Sequence, residues 1–145
     1  MRTYNILERY STKRRIGDIG VVSFSRVYGL ADEDIIGDIE ARDAVQALLG
    51  YVGFEVSDGV MEVGIGDRSL YVFEGYQGNR LGETLIQLSL ETAKIAAERT
   101  GRKFNTTDAF IKKGDERMRH ILEKLCFQRV EEHRKKVEVY RMYFE

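Results

Sequence analysis

Hydrophobic and polar positions along the chain switch between two periods. Thr3 to Tyr10 fits an extended strand, and Ile19-Gly20-Val21-Val22-Ser23-Phe24 fits a second extended piece. From Ala31 onward, Ile35, Ile36, Ile39, Ala44, Val45, Leu48 and Leu49 recur at helical spacing. Asp32, Glu33 and Asp34 precede them, and acidic side chains in a first turn favour the positive end of a helix dipole. Gly37 weakens the middle, so the pattern predicts two short helices, with Gly50 closing the second as its C-cap. An antiparallel run follows. Tyr51 to Val56 and Val60 to Ile65 flank the hairpin signal Ser57-Asp58-Gly59, and Gly66-Asp67 turns the chain into Ser69 to Phe73.

The helical period then returns. Leu81, Leu85 and Leu88 form one stripe and Ile86, Leu90, Ala93 and Ala97 an adjoining one, ended by Thr100-Gly101. Phe104 to Ile111 reads as a strand, and Asp115 to Leu125 as a helix that buries Met118, Ile121, Leu122 and Leu125. Phe127 to Glu132 and Lys136 to Phe144 make a terminal hairpin. This order predicts a single α/β (α+β) domain over residues 1–145, a mixed, mostly antiparallel sheet flanked by helices on both faces.

Composition narrows the function classes. With 23 basic and 24 acidic side chains the net charge is -1, which supplies no global field for nucleic acid. The runs Lys13-Arg14-Arg15 and Arg134-Lys135-Lys136 read as solvated turns. Cys126 is the only cysteine, so no intramolecular disulfide forms, which suits a reducing, cytoplasmic setting. No stretch approaches a membrane span or a signal sequence, and no cluster of metal-ligand type stands out. Proline is absent, so every turn relies on Gly, Asn, Asp and Ser.

The segment that carries chemistry runs from Leu70 to Gly82, where a strand ends, a Gly-containing loop follows and a helix begins at once. The first N–H groups of a helix have no intrahelical acceptor, and together they make an anion site. Gly78 and Gly82 leave that backbone uncovered, so a pyrophosphate can approach closely. Taken alone, the same pattern equally describes a tight strand-to-helix turn.

The segment resembles the signature of the GNAT superfamily of acetyltransferases, Gln/Arg-x-x-Gly-x-Gly/Ala after an aromatic-rich strand. Gln77, Leu81 and Gly82 match in type and spacing, and Leu70-Tyr71-Val72 and Tyr76 look like that family's strand and loop. Downstream, Glu123-Lys124-Leu125-Cys126-Phe127 is similar to the family's Glu-Lys-Leu-Gly-Phe, and Asp115-Glu116-Arg117 stands where members often have Asn-Glu-Arg. The resemblance covers Tyr51 to the C-terminus. Three residues depart from it. Arg80 replaces the first Gly, so its side chain points away from the pyrophosphate or itself binds phosphate. Cys126 replaces another Gly and reads as a packing variation. Leu122 stands where many members carry the Tyr that protonates the leaving thiolate.

The resemblance implies acetyl transfer from acetyl-coenzyme A, as co-substrate, to an amine of a protein or small molecule. It places the coenzyme against Tyr71, Val72, Gln77, Gly78, Asn79, Arg80, Leu81 and Gly82, with backbone N–H groups around Tyr71 and Val72 bonding the pantetheine arm. No base is evident. Glu74, at the end of the central strand, and His120, two positions before Leu122, are the candidates, each with an ordinary surface role as its alternative. Tyr71 and Tyr76 serve as acids or as core. Cys126 lacks the basic partner a nucleophile needs. Leu122 and Arg80 also admit a second class, a non-catalytic protein of the same fold that binds a protein partner, with or without coenzyme A. A homodimer is left open, and the acceptor is not legible.

Overall fold

The segment from Ala31 to Gly50, which the spacing predicts as helical, holds no helix: it forms a strand over Asp34–Arg42 and the start of another at Leu48, with turns before and between them. In Asp34-Ile35-Ile36-Gly37-Asp38-Ile39-Glu40-Ala41-Arg42 the buried positions are 35, 37, 39 and 41, a period of two. Ile35 and Ile39 satisfy a four-residue repeat and a two-residue repeat equally. Three β-branched isoleucines and a central glycine lower helix propensity, so pairing on both edges decides the matter. The computed structural model describes residues 4–64, 69–78, 80–130 and 136–144. In chain order it contains β1 (Asn5–Ile16), β2 (Gly20–Ala31), β3 (Asp34–Arg42), β4 (Leu48–Ser57), β5 (Val60–Val63), β6 (Tyr71–Val72), α1 (Leu81–Thr100), β7 (Thr106–Lys112), α2 (Glu116–Lys124), β8 (Gln128–Val130) and β9 (Val137–Tyr143). The predicted Gly66-Asp67 turn and most of the Arg134-Lys135-Lys136 run lie outside the described residues.

The strands form one mixed sheet in the order β1-β2-β3-β4-β5-β7-β9-β8, with β6 paired to β4. Among the described residues, only β5 and β7 pair in parallel. The predicted β4–β5 hairpin is present: Ser57 pairs with Val60 across Asp58 and Gly59, both at positive φ, as a two-residue turn of this hand requires. Lys13-Arg14-Arg15, read from the sequence as a turn, belongs to the end of β1, and the turn itself is a short 3-10 segment, Gly17–Ile19.

The apolar face of α1 packs on the sheet, burying Leu81, Leu85, Ile86, Leu88, Ala93, Ala96 and Ala97 against Ile35, Ile39, Val52, Phe54 and Met61. Each buried Leu or Ile contributes about 1.5–3 kcal/mol. Helix α2 is shorter, and among its residues only Leu122 is fully buried, in the same core cluster, while Met118 packs against that cluster's edge. Register places Ile39, Val52 and Phe54 on the same face as Ala109 and Tyr140, and α2 meets α1 where a Cβ at Gly82 would lie 3.3 Å from Ile121 Cδ1. Both described helices therefore share one face. The mixed, mostly antiparallel sheet with helices packed on it is the one that the order of elements predicts, while the segment expected to add two further helices forms β3 and the start of β4.

Candidate functional site

β5 and β6 both pair antiparallel with β4: Val63 lies opposite Phe54, and Tyr71 opposite Tyr51. The parallel pairing with β7 stops at Val63 and Ala109, although β7 continues to Lys112. Among the described residues, no strand pairs with the edge of β6 that faces away from β4. Phe73 N–H donates to Leu49 O at 2.9 Å. By strand alternation, the N–H and C=O of Val72 point the other way, toward that edge. The Val72 carbonyl accepts from Gln77 Nε2 at 3.1 Å, and Gln77 Oε1 in turn accepts from Arg117 of α2. The Gln77 side chain therefore ties the β6–α1 loop to α2.

Close approach explains one glycine in this framework. A Cβ at Gly50 would lie 2.7 Å from the Tyr71 carbonyl oxygen, so β6 can pair this closely with β4 only because the side chain is missing. Gly50, predicted as a helix C-cap, is instead a strand residue of β4 paired with Val72. The Tyr71 ring stacks on Tyr51 with centroids 5.8 Å apart and meets Phe73 edge-on at 5.0 Å, which holds the short β6 in place from outside.

Helix α1 starts without a side-chain cap: its N-cap is Arg80, which offers no acceptor. The contrast with α2 is direct, since Asp115 there accepts from Met118 N–H at 3.1 Å. Among the described residues, no side chain caps the first N–H groups of α1. They open into a cavity of about 690 Å³ lined by Tyr71, Val72, Gln77, Gly78, Arg80, Leu81 and Gly82 on one side, and by Arg117, Met118, His120, Ile121 and Lys124 of α2 on the other. Such a volume falls in the usual range for a ligand pocket, about 300–1,000 Å³. The positions expected to hold the coenzyme are thus gathered in one place, except Asn79, which lies outside the described residues. His120 reaches this cavity. Glu74 does not; it is exposed on the turn after β6. Arg117 and Lys124, at the cavity's α2 wall, were not singled out from the sequence as site residues. Lys124 also pairs with Glu83 of α1 at 3.1 Å.

Solved structures share this architecture. The GNAT domain of S. lividans PAT superposes with a TM-score of 0.67 over 92% of this chain and 97% of that one, at 9% identity. The chain has the GNAT fold. A GNAT-family acetyltransferase from Staphylococcus aureus Mu50 gives a TM-score of 0.61 at 12% identity, covering 76% of this chain and 68% of its own. The PaiA N-acetyltransferase from Thermoplasma acidophilum, solved in complex with coenzyme A, gives 0.58 at 18% identity over 75% of this chain and 61% of its own. The chain thus spans less than two thirds of the length of that protein, and 64% of a similar one from Acinetobacter baylyi ADP1. No protein-family model and no curated protein matches the sequence. Among the described residues, no helix is long and apolar enough to cross a membrane.

Two departures from the GNAT motif share a backbone solution. Arg80 has φ 66° and Cys126 φ 71°, the left-handed region that glycine occupies without strain. Cys126 is exposed, so its role is not the packing variation read from sequence but a left-handed turn after α2 made by a non-glycine residue. The third departure, Leu122, is fully buried in the core, with no polar atom to offer the cavity.

Proposed function

We propose that the protein binds acetyl-coenzyme A in the cavity between the β6–α1 loop and α2, and transfers the acetyl group to an amine of a protein or small molecule. The observation that carries this reading is the uncapped start of α1, opening into a cavity lined by the loop and strand residues of the GNAT-like motif. Two features fit the coenzyme. The N–H groups of Leu81, Gly82 and Glu83, uncapped among the described residues, suit a pyrophosphate, and the outward N–H of Val72 suits an amide-bearing arm laid along β6 as an added strand. Gln77, bound to the Val72 carbonyl, sets where that arm can run. When bound, the coenzyme supplies an acetyl thioester, an activated acyl group on a thiolate leaving group.

The chain's own contribution is position and proton handling. Holding thioester and amine together turns a bimolecular encounter into an oriented one. The incoming ammonium must lose a proton, and a positioned base contributes about 10²–10⁴-fold. Of the two candidates, His120 lines the cavity and Glu74 stands on the exposed turn outside it, so an imidazole nitrogen of His120 is the better placed acceptor. Leu122 gives nothing to the leaving thiolate. A thiol of pKa about 8.5 leaves tolerably without full protonation, so turnover is slow rather than absent.

Leu122 also favours a second reading, a coenzyme-binding protein without catalysis. Radiolabelled acetyl-coenzyme A, offered with cell lysate and a panel of polyamines, separates the two. Label entering a product, increased by Leu122→Tyr and reduced by His120→Gln without weaker coenzyme binding, supports the enzyme. Calorimetric binding with no transfer by either protein supports the binding reading. No binding at millimolar coenzyme removes both.

A further inference from the structure

Among the described residues, no helix packs on the face of the sheet that looks away from α1. Ile35, Ile39, Val52, Phe54 and Met61 point to α1, so alternation turns Asp38, Glu40, Tyr51, Gly53, Glu55 and Glu62 to the other side. Register sets them around one point. Gly53 lies opposite Asp38, and on β4 it stands between Tyr51 and Glu55, whose backbones are about 13 Å apart. Tyr51 in turn lies opposite Glu40 on one side and Tyr71 on the other, and Glu55 lies opposite Glu62. Gly64 N–H donates to Gly53 O at 3.5 Å, so a second residue without a side chain borders the first.

The result is a shallow trough with two unlike walls. One wall is aromatic: Tyr71 stacks on Tyr51 and meets Phe73, and Tyr71 and Phe73 are 47% and 36% exposed. The other wall is acidic. Glu55 and Glu62 are half-buried and directly opposite one another, an arrangement of like charges that costs stability in a sheet. Asp38 closes one end, its Oδ2 accepting from Tyr4 Oη at 2.9 Å. The nearby cations Arg42 and Arg141 are bound to Glu40 at 2.8 Å and to Asp108 at 2.6 and 3.0 Å. Tyr71 belongs to both sites, since it also lines the coenzyme cavity.

We propose that this trough holds the acceptor, and that the acceptor is a linear aliphatic amine carrying two or more ammonium groups. The proposal rests on the acetyl-transfer reading above. Carboxylates at Asp38 and at Glu55 with Glu62 offer two separate places for positive charge. A methylene chain between them crosses Gly53, where any side chain would stand in its way, and lies against aromatic rings that also attract alkylammonium groups. A single ammonium leaves one of the two places unmatched. Transfer joins the neutral amine nitrogen to the acetyl carbon and breaks the thioester C–S bond, releasing a thiolate and one proton.

The test is calorimetric titration with spermidine, propylamine and a tetralysine peptide, each with and without coenzyme A, at low and high salt. The proteins are wild type, Glu55→Gln/Glu62→Gln, Asp38→Asn, and Glu98→Gln on the exposed side of α1 as a control. Relieving the like-charge pair carries no folding penalty, and melting temperatures check each variant. We expect wild type to bind spermidine about tenfold or more tighter than propylamine, with the difference shrinking at high salt. Glu55→Gln/Glu62→Gln and Asp38→Asn should lose that preference while binding coenzyme A as wild type does. With radiolabelled acetyl-coenzyme A, spermidine should take the label. Spermidine bound no tighter than propylamine overturns the proposal, as does an equal loss in Glu98→Gln. Tetralysine bound tighter than spermidine, or label entering another amine and not spermidine, also overturns it. Coenzyme A bound without spermidine overturns this proposal alone, whereas spermidine bound without coenzyme A overturns the acceptor role together with the acetyl-transfer reading.

Discussion

Replacing Arg80 and Cys126 by glycine, one at a time, separates the strain in this backbone from the function of the side chain that bears it. Both residues sit near φ +70°, where an L side chain costs about 1–2 kcal/mol. Glycine removes that cost but gives the unfolded chain more freedom, about 0.4–1 kcal/mol. The expected net gain is therefore roughly 0.5–1 kcal/mol at each site, since neither side chain makes a hydrogen bond or ion pair among the described residues that would be lost. For a domain of this size that is a rise in Tm of about 2–4 °C, readable by thermal denaturation followed by circular dichroism. Cys126→Gly should gain stability and leave coenzyme binding untouched. Arg80→Gly should gain stability and bind coenzyme more weakly, whereas Arg80→Ala keeps the strain, gains nothing and binds equally weakly. A lower Tm for both glycine variants would refute the strain reasoning. Arg80→Gly binding as tightly as wild type would refute the phosphate role.

Other outcomes follow from contacts elsewhere in the fold. Arg141 binds Asp108 through two hydrogen bonds of 2.6 and 3.0 Å, and Asp108 is nearly buried, so Arg141→Met should cost about 1–3 kcal/mol in chemical denaturation. Burial raises the Tyr140 phenol above its usual range, with Glu138 and Glu123 adding to the shift. Because the unfolded tyrosine ionises first, its contribution is complete below pH about 10 and is lost as pH rises through the folded value. Tyr140→Phe should therefore flatten the fall in stability in that alkaline window, and an unchanged slope would count against it. Gly50→Ala puts a Cβ 2.7 Å from the Tyr71 oxygen and should displace β6, lowering both Tm and coenzyme affinity; an unaffected protein would show that β6 does not need that approach.

Much of the C-terminal half was legible because its signals are local. The Asp58-Gly59 turn, the apolar stripes from Leu81 to Ala97, Gly101 after α1 and Asp115 before α2 each act within a few residues, so spacing alone places the elements. The motif from Gln77 to Gly82 likewise marked the cavity wall, because a strand end, a loop and a helix start are contiguous in sequence. Residues 31–50 failed for the opposite reason. Ile35 and Ile39 fit both periods, and only pairing with β2 on one edge and β4 on the other selects the strand. The facing wall from α2 was equally hidden, since it joins segments far apart in the chain. The residues determined by themselves where the chain turns, which helix stripes are apolar and where an anion site begins. Which strands pair, which charges converge and what stays exposed were decided by the tertiary structure, because burial and long-range pairing override local preference wherever two periods fit equally well.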